Sequence, residues 1–116
     1  TFNHADTSGW YSEAFMSPLV KYCQKENIPL VLVLPPSTKT LNTVFYNETL
    51  KMPKTKFTSL VSQYAKHHKI AFWDLSELFS KNETHLFNDV IHLNVLGSLP
   101  YTQNLANKIS KENLLH

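Results

Sequence analysis

The chain contains no arginine: its cationic side chains are eleven lysines, set against nine acids for a net charge of +2. Arginine supplies the planar, bidentate contacts that phosphate and base recognition lean on. The lysines (Lys21, Lys25, Lys39, Lys51, Lys54, Lys56) are scattered, with no basic stripe interleaved with aromatics. Both facts argue against a nucleic-acid partner and for a solvated surface. A single cysteine, Cys23, excludes an internal disulfide and a thiolate metal site, and reads as an inert core residue. No apolar run approaches the ~20 residues that span a bilayer. The longest, Ile28 to Leu34, stops at Pro35-Pro36. No signal-peptide pattern opens the chain, and Thr1 stands where a Met is usual, so an upstream segment is expected. Asn47-Glu48-Thr49 and Asn82-Glu83-Thr84 are formal glycosylation sequons, no more than this composition supplies by chance.

What is present is a globular composition, 42% hydrophobic and 17% charged, in 116 residues, the size of one domain. Trp10 to Asn27 reads as a helix with Tyr11, Phe15, Leu19, Tyr22 and Cys23 on one face, kinked or restarted at Ser17-Pro18. Ile28 to Leu34 is rich in β-branched residues and reads as a strand buried on both faces, with Pro29 tolerated only at its start. A long connection follows, with a short helix expected around Asn42 to Tyr46. Pro53 to His68 is cleanly helical, its apolar face made by Phe57, Leu60, Val61, Tyr64, Ala65 and His68. Ile70 to Asp74 reads as a second strand, Leu75 to Phe79 as one helical turn, and the stretch to Asp89 as a polar loop. The last helix runs from Val95 or Leu99 to Lys111, with a stripe of Leu99, Thr102, Ala106 and Ile109. Pro100 fits it only if Ser98 is the cap and Pro100 lies in the first turn.

Helix, strand, helix, strand, helix is an α/β order in which the two strands lie parallel and adjacent, joined by a crossover. Two parallel strands alone are marginal, and parallel sheets need cover on both faces. Residues 1–116 therefore read as a single incomplete α/β domain, whose sheet is completed by an upstream segment or another chain. Unpartnered, such a chain is expected to be poorly soluble.

Asp89-Val90-Ile91-His92 is the sharpest local feature. An Asp three residues before a His can orient the imidazole through one nitrogen and leave the other as a base. Three Asp and six His allow such a pair by chance, but its place after the second strand and before a helix is where open α/β sheets set their sites. His85, Asp89 and His92 offer a second reading as metal ligands, although the spacing matches no compact zinc signature and no fourth ligand is evident. His67-His68 reads as chemistry complementing a helix C-terminus, and Asp74 as a turn acid. Asp6-Thr7-Ser8 has no apolar strand before it and is rejected as a nucleophile turn.

The segment Phe87 to Gly97 resembles the terminal D-x-x-H block of the SGNH (GDSL-type) hydrolase superfamily. It is similar in pattern to the cell-envelope branch that includes the teichoic-acid D-alanylation protein DltD and the alginate O-acetylation proteins. Against a block D-x-I-H-L-G-W-x-G-W, Asp89, Ile91, His92, Leu93 and Gly97 match, while Asn94, Val95 and Ser98 depart. The resemblance covers about Trp10 to Ile109 and corresponds to the carboxy-terminal half of a three-layer α/β/α, flavodoxin-like domain with a parallel sheet. It implies catalytic roles for Asp89 and His92 and a serine nucleophile in an upstream G-D-S block. It implies no metal or organic cofactor, an acyl-ester substrate such as a cell-wall polymer or glycan, and a bacterial, extracytoplasmic setting anchored through an upstream segment. The rival expectation is a non-catalytic α/β module that binds a partner through its exposed sheet edge.

Overall fold

The computed structural model describes residues 16–79, 83–89 and 92–112. Tyr11, Phe15, Asp6-Thr7-Ser8 and Asn82 lie outside them. The chain is a mixed α/β structure: α1 (Ser17–Lys25), β1 (Val31–Leu34), α2 (Lys39–Val44) running into a π-helical turn (Phe45–Thr49), α3 (Lys54–His68), β2 (Ala71–Asp74), α4 (Glu83–Leu86) and α5 (Val95–Lys111).

Two helices hand the chain to the two strands by the same device. At the end of α1, Asn27 takes a left-handed conformation (φ 56°), its N–H bonds Gln24 O at 3.3 Å, and Ile28 N–H bonds Cys23 O at 2.8 Å. At the end of α3, Lys69 does the same (φ 59°), bonding Lys66 O at 3.2 Å while Ile70 N–H reaches Ala65 O at 2.9 Å. This is the Schellman closure, which satisfies the last carbonyls of a helix and turns the chain sharply. Asn tolerates the left-handed region through its short polar side chain, whereas Lys sits where glycine is usual.

β1 and β2 pair in parallel with register Val31↔Ala71 to Leu34↔Asp74, as their sequence predicts. The pairing continues past their ends, where Leu75 N–H bonds Leu34 O at 2.8 Å and Ser37 N–H bonds Ser76 O at 3.1 Å. β1 is shorter than Ile28 to Leu34 because Asn27 and Ile28 are used in closing α1 and Pro29 has no N–H to give. Its residues are not buried on both faces: Val33 is 37% exposed and the others are half-buried.

The sheet is covered on α3 by Val61, Tyr64 and Ala65, all buried, with Phe57 and Leu60 partly so. Tyr46, Leu50 and Met52 form a buried cluster beside them, Tyr46 packing edge-on to Phe45 and tilted against Phe57. α1 buries Ser17, Val20 and Cys23, while Leu19 and Tyr22 point to solvent. The expected Leu19/Tyr22 face is thereby corrected, because the Ser17 hydroxyl meets the Tyr64 hydroxyl at 3.3 Å and fixes the rotation of the helix.

α5 begins at Val95 with Asn94 as its cap, not at Ser98, which places Pro100 inside the helix and removes one ladder bond. Its half-buried side carries Tyr101, Leu105, Lys108 and Ile109, and the Lys108 ammonium lies 5.6 Å from the Trp73 ring centroid. Leu99, Thr102 and Ala106 of the expected stripe face solvent instead. Residues 76–79 form a turn, not a helix, in which Asp74 Oδ1 accepts from the Ser76 hydroxyl at 2.6 Å and N–H at 3.0 Å. No described helix is long and apolar enough to cross a membrane.

Candidate active site

Between α4 and α5 the chain folds back on itself. Asn94 N–H bonds Leu86 O at 2.8 Å, Asn88 N–H bonds His92 O at 2.7 Å, and Phe87 and Leu93 face each other as an antiparallel bridge. Phe87 is buried and anchors the near side of this loop. Asp89 and His92 stand at its tip.

Asp89 holds His92 twice. Its Oδ1 accepts the His92 backbone N–H at 2.7 Å, and its Oδ2 lies 2.8 Å from His92 Nδ1. A carboxylate can only accept, so Nδ1 carries the proton and, in the neutral ring, Nε2 keeps its lone pair. The bond between the two side chains expected from their three-residue separation is therefore present. Both groups are open to water, with His92 68% and Asp89 54% exposed. A ring oriented at one nitrogen and open at the other can accept a proton from any hydroxyl brought within ~2.6–3.2 Å.

Ser17, Ser37, Ser76 and Ser98 are bonded elsewhere, to Tyr64, Asn42, Asp74 and the Val95 carbonyl. Among the described residues no three His, Cys, Asp or Glu side chains come together as a metal ion requires, so His85 does not join Asp89 and His92 as a ligand. At the carboxyl end of β1 a crevice of about 270 Å³ is lined by Pro35, Pro36, Ser37, Asn42, Phe45 and Tyr46 among others. Asp89 and His92 are not part of that lining. Burial, and then the charge of Asp74, raise the Tyr46 phenol above its ordinary value, which keeps it neutral.

Two residues at the base of the loop, Asn94 and Gly97, stand in the sequence only as positions of the D-x-x-H block, with no structural role assigned to them. Asn94 Oδ1 accepts the Gly97 N–H at 3.0 Å and caps α5, while its Nδ2 donates to His85 O at 2.8 Å. Gly97 is buried against α4, where any Cβ would run into the Leu86 carbonyl oxygen and the Leu93 side chain. The signal was available: an Asn just before an apolar helical run is an N-cap signature. Comparison of the chain with family models, with curated proteins and with solved structures finds no match in any of the three.

Proposed function

We propose that Asp89 and His92 are the orienter and general base of a Ser-His-Asp triad, in the carboxy-terminal part of an SGNH-like serine esterase or O-acyltransferase acting on bacterial cell-envelope acyl esters. The observation that carries this reading is the double hold of Asp89 on His92, which presents an unprotonated Nε2 in the neutral ring. In this chemistry Nε2 takes the serine proton as the serine oxygen attacks the acyl carbonyl. The leaving alcohol departs with that proton, and an acyl-serine remains. Water or a second alcohol then repeats the step in reverse, and Asp89 stabilises the transient imidazolium throughout. In this reading the serine comes from an upstream strand that pairs with the free edge of β1 within a three-layer α/β/α domain. The openness of His92 fits a base whose nucleophile arrives on another segment.

The test is labelling of the complete reading frame's product by a fluorophosphonate. His92→Ala abolishes it, and Asp89→Asn, which favours the wrong tautomer, slows it by at least about 10²-fold. Equal labelling of both variants and the parent overturns the triad.

One observation favours a second reading, a binding module. Among the described residues β1 has β2 as its only strand neighbour, and an apolar groove of about 540 Å³ runs beside it, lined by Leu32, Val33, Leu34, Phe45, Phe57 and Phe72 among others. An extended partner strand satisfies both the free backbone groups and the groove. An upstream apolar strand running into Gly-Asp-Ser favours the enzyme, and its absence favours the module.

A further inference from the structure

We infer that Asn94 is a positioning residue for His92: its carboxamide clamps the two ends of the loop that carries the pair, and so selects the imidazole tautomer. The inference rests on reading Asp89 and His92 as an orienter and base. Asn94 uses every polar group it has. Its backbone N–H goes to Leu86 O at 2.8 Å and its backbone carbonyl receives Ser98 N–H at 2.8 Å. Its side-chain oxygen receives Gly97 N–H at 3.0 Å, and its side-chain amide donates to His85 O at 2.8 Å. One residue thus ties the last turn of α4 to the first turn of α5, two positions after His92.

A helix cap needs only an acceptor, and Ser, Asp and Asn supply it about equally well. Asp has no donor and the Ser hydroxyl sits on a shorter arm, so a donor that reaches outward past the capping oxygen is what Asn adds, and here it is spent across the loop and not on the helix. The bare Cα of Gly97 lets α4 and α5 approach closely enough for that bond. With the base of the loop closed, the backbone N–H and ring of His92 meet the two oxygens of one carboxylate together. With it open, the ring is free to take the other tautomer, because the proton's site is set by the bond the ring makes.

The experiment uses ring-¹⁵N histidine in the complete product, read by NMR, together with fluorophosphonate labelling. Asn94→Ser keeps the cap but is too short to reach His85 O, and Asn94→Ala loses both. In the parent, His92 shows the protonated Nδ1 signature. In Asn94→Ser that signature gives way to a mixture of tautomers, the helical circular dichroism is retained, and labelling slows roughly tenfold. Asn94→Ala behaves like Asn94→Ser in the ring spectrum, with a further loss of helix. An unchanged ring spectrum in Asn94→Ser overturns the clamp, even if labelling of the parent upholds the triad. Absence of labelling in the parent overturns the triad while the ring spectra still decide the role of Asn94.

Discussion

The region around the sheet and the arm that carries Asp89 and His92 are held by different forces. In the first, Val20, Cys23, Tyr46, Val61, Tyr64 and Ala65 are buried and come from segments far apart in the chain. Among the described residues of the arm from α4 onward the buried side chain is Phe87, beside Gly97, while Val95, Leu96 and Leu99 are each more than 60% exposed. What fixes the loop of the arm is a set of hydrogen bonds between residues within about one loop's length of each other, while α5 touches the sheet region through Lys108 over Trp73. Apolar burial gives the sheet region a cooperative interior, whereas the arm owes its shape to local closure. Local closure sets geometry well and adds little to global stability, because each bond in water nets only about 1 kcal/mol.

Substitutions in the two regions should therefore read out differently. Tyr46→Ala removes the centre of the cluster with Leu50 and Met52 and should cost about 3–5 kcal/mol in urea denaturation, leaving the His92 ring spectrum of the folded fraction unchanged. Gly97→Ala forces α5 off the Leu86 carbonyl and should cost about 1–3 kcal/mol. Hydrogen exchange of the Asn88 and Asn94 amides should quicken far more than that of the β1 amides. If both sets quicken equally, the arm is not a separate unit. Asn94→Ala should cost about 1 kcal/mol through the lost cap. Lys69→Gly should stabilise by about 0.5–1 kcal/mol, measured by thermal unfolding, and Asn27→Gly by less, because Asn already tolerates the left-handed turn.

The alkaline limb gives the smallest and most specific readout. The folded phenol of Tyr46 lies above its unfolded value, so its contribution is complete below the ordinary tyrosine range and is lost as pH rises through the folded value. Urea midpoints should fall at high pH in the parent and fall less in Tyr46→Phe. An identical alkaline limb in both would detach Tyr46 from the effect.

The parts of the fold readable in sequence are those where local pattern and tertiary demand coincide. The α3 face, the two strands and their parallel pairing, and the short separation of Asp89 from His92 are of this kind. The rest was decided by contacts between distant residues. Ser17 meeting Tyr64 rotates α1 so that Val20, and not Leu19, is buried. Gly97 against Leu86 sets the phase of α5, which turns the periodic stripe of Leu99, Thr102 and Ala106 outward. Pro100 as a first-turn residue points to a cap at Ser98, whereas the three-residue reach of Asn94 to Gly97 fixes the start of α5 earlier. The four-residue α4 is too short to leave a period in the sequence.

β1 is bracketed by imino acids, Pro29 before it and Pro35-Pro36 after it. Stacked fibrils draw on uninterrupted segments of about six or seven residues free of proline. Between these prolines lie only the five residues Leu30 to Leu34, all apolar and none charged. This segment is too short to propagate a fibre. The prolines act as gatekeepers that keep the apolar segment below the length on which amyloid growth draws.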